Sequence, residues 1–234
     1  MFIIEIAKIK IQILNKYKYL EKLCNDYIID GSSFDFSISV SDSEIEEEKK
    51  KDDLNHTLGY LESICCYRKI CLELVNFDAF LIHACTVKID NYAYLFSAKS
   101  GTGKTTHCKL LKDYLGDRLS FINGDKPVIR IIDGVPIAFG TPWNGKERYG
   151  ENTNAHVKAI IFVERSKDNS IELIKKESLL SKILNQILIP NNEDGVTKTF
   201  ILVDTLLNNT KQYILKCNMD ISAAICSYNA ITKG

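Results

Sequence analysis

Nine consecutive residues carry the clearest chemistry in the sequence: Ala98-Lys99-Ser100-Gly101-Thr102-Gly103-Lys104-Thr105-Thr106. They satisfy the phosphate-loop pattern GxxxxGK[ST] except at its first position, where Ala98 replaces glycine. Glycine at 101 and 103 lets the backbone turn its N–H groups inward as a concave anion nest, and the start of a following helix adds its positive dipole end. Ser100, Gly101, Thr102, Gly103, Lys104, Thr105 and Thr106 are the candidate nucleotide-phosphate ligands. In that role Lys104 lies along the β- and γ-phosphates, the Thr105 hydroxyl takes one Mg²⁺ position, and Thr106 bonds the α-phosphate. Alanine is tolerated at 98 if φ is negative there.

A phosphate loop needs an opposing carboxylate to hold the metal or to activate a nucleophile. Asp125 is the best candidate, in Phe121-Ile122-Asn123-Gly124-Asp125-Lys126-Pro127, where an apolar strand ends. Only one helix and one strand separate it from Lys104, so neighbouring strands can deliver both to one edge of a sheet. It is read either as a metal-proximal group or as the base, since one carboxylate can hardly be tightly metal-bound and fully basic together. Glu147 or Glu151 would supply a second carboxylate if one is needed. Lys146 and Arg148, in Thr141-Pro142-Trp143-Asn144-Gly145-Lys146-Glu147-Arg148, are candidates to reach over the phosphates, against a reading as surface charge. Trp143, the only tryptophan, has the alternative of a hydrophobic lid over the sheet edge. His107 is read as packing beside the nucleotide.

The elements that must position these groups are visible in the hydrophobic period. Tyr92–Ser97 reads as a strand running into the loop, and residues 104–115 as the helix leaving it, with Gly116 as C-cap. An apolar run over 80–89 pairs with that strand across Asp90-Asn91. Strands follow over 119–122, 128–132 and 135–139, the last two joined by the hairpin signal Asp133-Gly134. A polar stretch over 140–154 leads to an apolar strand over 157–163 and a short one over 170–174. The chain then reads as helix, loop, helix (194–207), strand (212–216) and a last helix from about Asp220. Before all this, residues 2–14 alternate with the period of one half-buried strand, and Phe34, Phe36, Ile38 and Val40 mark another. The run Ser41–Asp53 reads as a solvated hairpin or loop, and Leu54, Leu58, Leu61, Cys65, Leu72 and Val75 mark an amphipathic helix from Leu54.

Composition bounds the function. The 234 residues balance 30 Lys+Arg against 30 Asp+Glu, which argues against a nucleic-acid binder that must displace counterions with a basic field. With 45% apolar and 26% charged residues the chain is ordinary globular protein. No apolar stretch reaches the roughly 20 residues that span a bilayer, and Lys8, Lys10 and Lys16 break any signal-peptide order, so a cytoplasmic protein is expected. None of the eight cysteines forms a CxxC pair, and buried reduced thiols are preferred to zinc ligands or disulfides. The expectation is one α/β domain, with strands and a helix over 1–76 and a phosphate-loop core with C-terminal helices over 77–234.

Ala98 to Thr106 followed by Asn123-Gly124-Asp125 resembles the bacterial HPr kinase/phosphorylase and ATP-dependent phosphoenolpyruvate carboxykinase superfamily, and is most similar to its short HPr-kinase-like members. The likeness extends to His83-Ala84, to His107 after the loop, to Asp125-Lys126-Pro127, to Gly140 through Lys146 and to Lys158-Ala159-Ile160. It is strong over about residues 78–165. It implies a twisted mixed β-sheet flanked by helices, ATP and Mg²⁺ as cofactors, and transfer of a phosphoryl group to a hydroxyl, expected to be that of serine, on a peptide, protein or small metabolite. His83 resembles the histidine of a His-Gly motif near the family's active site, although Ala84 follows it here; base, γ-phosphate donor and core histidine are its three readings. The family's paired aspartates are reduced here to Asp125, with Gly124 or Lys126 in the partner's place. That departure keeps open a nucleotide-binding accessory protein of peptide maturation or regulation that has lost transfer chemistry. A decarboxylating carboxykinase-like enzyme is a third reading, for which the chain looks short. Neither nucleic acid nor membrane is expected as a partner, and a homo-oligomer is compatible with the sequence.

Overall fold

Alternating isoleucines build the first sheet. In the computed structural model, which describes residues 1–99 and 101–232, β1 (Phe2–Ile6) and β2 (Ile9–Leu14) pair as an antiparallel hairpin. The single strand expected over 2–14 is thus two. Ala7 and Lys8, with φ of 53° and 60°, turn the run back on itself without any glycine or asparagine to mark the place. Helix α1 (Lys18–Leu23) leads to β3 (Phe36–Ser39), which lies parallel to β2. Ile4, Ile6, Ile9, Ile11 and Ile13 are all buried, while Lys8 and Leu14 are exposed.

The charged run over 41–53 is a helix over much of its length, α2 (Asp42–Lys49), rather than a loop. Ser41 and Glu44 form a reciprocal capping box: Ser41 Oγ accepts from the Glu44 N–H at 3.3 Å, and Glu44 Oε2 accepts from the Ser41 N–H at 2.8 Å. Helix α3 (Leu58–Leu74) starts four residues later than its apolar period suggests, because Thr57 caps it and Leu54 is left exposed. Leu61, Cys66, Ile70 and Leu74 of α3 share one core with the first sheet and with Leu81, Val128, Phe139 and Trp143 from the rest of the chain.

The second sheet has nine strands. In chain order the remaining elements are β4 (Ala79–Leu81), β5 (Cys85–Ile89), β6 (Tyr92–Ser97), α4 (Lys104–Leu115), β7 (Leu119–Asn123), β8 (Val128–Ile132), β9 (Val135–Phe139), β10 (Asn154–Arg165), β11 (Ser170–Leu173), α5 (Leu180–Leu184), α6 (Glu193–Asn208), β12 (Lys211–Cys217) and α7 (Ile221–Thr232). The path β4-β8-β9-β10-β6-β5-β7 is mixed: β10 runs parallel to β6 and to β12, and the other pairs are antiparallel. One edge of β10 is shared, Asn154–His156 pairing with β9 and Ala159–Arg165 with β12.

Both faces of the central strands are covered, which is why they read as unbroken apolar runs. Ala93, Leu95, Ile160 and Phe162 face a core closed by α6; Tyr94, Phe96, Ala159 and Ile161 face one closed by α4 and α7. The expected strand over 80–89 is interrupted. Residues 79–81 pair with β8, residues 85–89 pair with β6 and β7, and His83 sits in the break. Asp133 and Gly134 have φ of 51° and 79° and close the β8–β9 hairpin as expected. Among the described residues no helix is long and apolar enough to cross a membrane. All eight cysteines are free thiols, seven of them buried.

Candidate functional site

The site forms where three strands meet one edge of the large sheet. β6 ends at Ser97 and enters the glycine-rich loop; β5 starts at Cys85, opposite Phe96; β7 ends at Asn123, opposite Thr86. Strand β5 therefore lies between the strands carrying the loop and Asp125, and the break before it inserts His83 between them. The sheet edge delivers Lys104, His83 and Asp125 as one cluster. Lys104 Nζ is 3.3 Å from His83 Nε2, and His83 Nε2 is 3.0 Å from Asp125 Oδ1.

The loop itself has the conformation its glycines predict. Gly101 and Gly103 take φ of 74° and 118°, where a Cβ would be strained, and Gly103 is the N-cap of α4. Gly103 has no side chain with which to cap the helix, and among the described residues no side chain bonds its first N–H groups. Thr105 and Thr106 stand on its first turn, half-buried and exposed respectively. Ser100, another candidate ligand of the loop, lies outside the described residues. Lys104 is 7% exposed, and its ammonium also approaches the Ala98 carbonyl at 3.5 Å. Burial pushes its pKa below the ordinary lysine value, with the charge of Asp125 opposing the shift.

Asp125 is oriented from beneath. The fully buried Asn123 accepts the N–H groups of Asp125 and Lys126 on its Oδ1, at 2.9 and 2.6 Å, and donates through Nδ2 to the Thr141 carbonyl and hydroxyl at 3.1 and 3.0 Å. Thr141 donates in turn to the Lys126 carbonyl at 2.8 Å. Gly145 closes over the carboxylate, so near that a Cβ there would meet Asp125 Cβ at 3.0 Å. Burial pushes the Asp125 carboxyl up, but the hydrogen bond from His83 and the charges of Lys126, His83 and Lys104 together hold it below the usual value. It stays ionised. Lys126, whose Nζ is 3.6 Å from Asp125 Oδ2, lies 4.6 Å over the Tyr67 ring.

His83 has an anchor on its other nitrogen. Its Nδ1 is 3.1 Å from Gln186 Oε1, and its backbone N–H donates to the Gln186 carbonyl at 2.8 Å. With a carbonyl oxygen facing it, Nδ1 carries a proton. Nε2 lies between a donor, Lys104, and an acceptor, Asp125, and serves one of them at a time: as a lone pair it accepts from Lys104, and as N–H it donates to Asp125.

Other expected residues go elsewhere. Lys146 and Arg148 are exposed, and their side chains make no hydrogen bond or ion pair among the described residues. Glu147 pairs with Lys109 at 3.0 Å, and the Glu151 side chain is exposed; neither joins Asp125. Trp143 is 7% exposed in the core shared with the first sheet, 5.6 Å from the Tyr67 ring, which makes it a packing residue between the two parts of the chain. His107 points away from the loop into the core under α7.

Two contributors had no sequence signal as site residues, Gln186 and Arg165, while Asn123 stood only as part of the Asn123-Gly124-Asp125 stretch, without its supporting role. The Arg165 Nε donates to the Thr102 carbonyl at 3.0 Å, and the guanidinium also donates to the Gly101 carbonyl. Arg165 thus gives two carbonyls of the loop a side-chain partner. Among the described residues no group of three or more His, Cys, Asp or Glu side chains gathers as a metal site.

No protein-family model matches the sequence, and no curated protein matches it. Among solved structures the chain is similar to the Hpr(Ser) kinase/phosphatase from Coxiella burnetii, at 10% identity over 65% of this chain and 91% of that one, with a TM-score of 0.39. A likeness this distant leaves the site to be read from its own geometry.

Proposed function

We propose that the protein is a phosphotransferase that binds a nucleoside triphosphate, ATP with Mg²⁺, in the glycine-rich loop and transfers its γ-phosphoryl group to a hydroxyl. The expected acceptor is a serine hydroxyl of a peptide, a protein or a small metabolite. The observation that carries this reading is the contact chain from Lys104 through His83 to Asp125, at 3.3 and 3.0 Å, at the foot of a left-handed, glycine-built loop.

Each residue has a task. The loop N–H groups and the start of α4 bind the β- and γ-phosphates, with Lys104 neutralising the phosphoryl group in flight. Asp125 accepts the hydroxyl proton as the new P–O bond forms and the bond to the β-phosphate oxygen breaks. Its low pKa suits a loose transition state, in which the attacking oxygen becomes acidic only late. His83, fixed by Gln186, orients that carboxylate. With Asp125 committed as the base, the Thr105 hydroxyl is the group of this chain that would hold a magnesium ion, whose other ligands would be phosphate oxygens and water. When bound there, Mg²⁺ would neutralise phosphate charge.

The test is Lys104→Ala with γ-labelled ATP and candidate acceptors, including free serine. Label transfer should fall by about 10²–10³-fold. An unchanged rate rejects the proposal. A second reading is favoured by one observation: Lys126, not a second carboxylate, stands beside Asp125. An accessory nucleotide-binding protein of peptide maturation or regulation would bind Mg-ATP and transfer label to nothing.

A further inference from the structure

We infer that the cavity on the β10 side of the glycine-rich loop is a nucleoside pocket, which takes the purine base and ribose of the triphosphate. The inference rests on the phosphate-binding reading of the loop and goes beyond it by assigning the residues that hold the rest of the ligand.

Strand β6 has different neighbours on its two sides. On one lie β5 and β7, with His83 and Asp125; on the other lie β10 and β12. All the groups suited to the reacting phosphate are on the first side. A triphosphate whose γ end meets Lys104 and Asp125 must carry its nucleoside away from them. On the second side a cavity of about 610 Å³ opens between the loop (Lys99, Gly101, Thr102), the end of β10 and the C-terminal end of α5. That volume lies within the range of small-molecule sites, roughly 300–1,000 Å³.

The lining suits a base and a sugar. Ala98, Phe162 and Val163 give a buried apolar floor. Arg165 is immobilised by its bonds to the Gly101 and Thr102 carbonyls and offers a guanidinium face on which an aromatic ring can stack. Asn185 brings an amide group that both donates and accepts, as the edge of a purine requires, and Gln186, whose Oε1 faces His83, keeps its amide N–H groups to donate. Lys182 and Glu164 pair at 2.8 Å across the rim, so with Lys99 and Arg165 the wall holds three cations and one carboxylate, an excess of positive charge that suits a polyanion. The cavity near Tyr92, His156, Lys158 and Lys211, about 460 Å³, includes no residue of the loop in its wall and offers a bound triphosphate nothing.

The test separates the nucleoside from the phosphates. Mg-ATP and Mg-tripolyphosphate are titrated calorimetrically into the whole protein and into Asn185→Trp, an exposed position at the end of α5. The wild type should bind ATP at least about tenfold more tightly than tripolyphosphate, and Asn185→Trp should lose about tenfold for ATP and less than about twofold for tripolyphosphate. Lys182→Trp carries the same expectation should Asn185→Trp fail to fold. Equal wild-type affinities for the two ligands, equal losses for both, or an unchanged ATP affinity with a raised acceptor KM would overturn the pocket while leaving the phosphate site standing. Binding of neither ligand by the wild type overturns the phosphate site, and the pocket falls with it.

Discussion

Two histidines flank the lysine of the glycine-rich loop, and their surroundings differ in kind. His83 is about one-third exposed and meets Lys104, Asp125 and Gln186 at 3.3, 3.0 and 3.1 Å. His107, three residues beyond Lys104, is 2% exposed; its Nε2 is 2.9 Å from Ser227 Oγ, its Nδ1 is 3.9 Å from Cys217 Sγ, and its ring lies 5.3 Å from that of Phe96. The first meets two titratable groups, Lys104 and Asp125, and is partly open to solvent. The second has neutral partners and is closed. Nearness to the loop in sequence therefore says little about chemistry; the neighbours decide it.

The largest effect expected from this contrast is at the carboxylate facing His83. Asp125→Asn keeps the shape and removes the acceptor of the hydroxyl proton, so label transfer should fall about 10³-fold. A fall of less than about tenfold would reduce His83 and Asp125 to a structural pair and erase the difference between the two histidines.

The next effect is on stability and belongs to His107. Burial pushes its pKa from 6.5 down to about 4, so between these values the unfolded chain binds a proton that the folded chain refuses. Stability should thus decline as pH falls from 6.5 to 4, by about 3 kcal/mol in total, and no further through this group below pH 4. Glu44, held down from 4.5 to about 2 by Lys69 and Ser41, loses its stabilisation as pH falls between those values, so it overlaps only the acid end of that window. Denaturant unfolding at stepped pH checks this, and His107→Gln should flatten the decline. A slope that survives the substitution would mean that His107 is not the group that resists protonation.

A smaller loss is expected for His83→Gln, since Asp125 remains and loses only its orienting partner. Transfer should drop by about 10²-fold, with a melting temperature close to wild type. If the melting temperature drops and the rate holds, His83 is the structural histidine.

What could be read in the sequence follows the same division between local and distant partners. The left-handed turns at Gly101 and Gly103, the helix over 104–115 and the Asp133-Gly134 hairpin are local, each written in glycine position and period, and each is found where it is expected. That Asp125 shares an edge with the loop also followed from a short interval, although β5 between them did not. The anchor of His83 is Gln186, 103 residues away, and the partners of Arg165 lie 63 and 64 residues away; no local pattern marks such contacts. Helix α2 was legible but masked. Its Ser41-x-x-Glu44 box is a standard start signal, overshadowed by the density of charge that follows. The turn at Ala7-Lys8 had no signal at all, since both residues are unusual at positive φ.

The finest discrimination comes from the partner of the buried histidine. Ser227 Oγ donates to the Ala224 carbonyl at 3.1 Å, which spends its proton, so it must accept from His107 Nε2. That fixes His107 as the neutral Nε2–H tautomer, with Nδ1 left toward the weak Cys217 thiol donor. Ser227→Ala leaves the buried Nε2–H without an acceptor, in a place that is fully closed to water. The loss should be about 1–2 kcal/mol of unfolding free energy, with label transfer unchanged, because nothing in this network reaches Lys104 or Asp125. A drop in transfer larger than the drop in stability would show that α7 communicates with the loop through His107, and would make the second histidine part of the site.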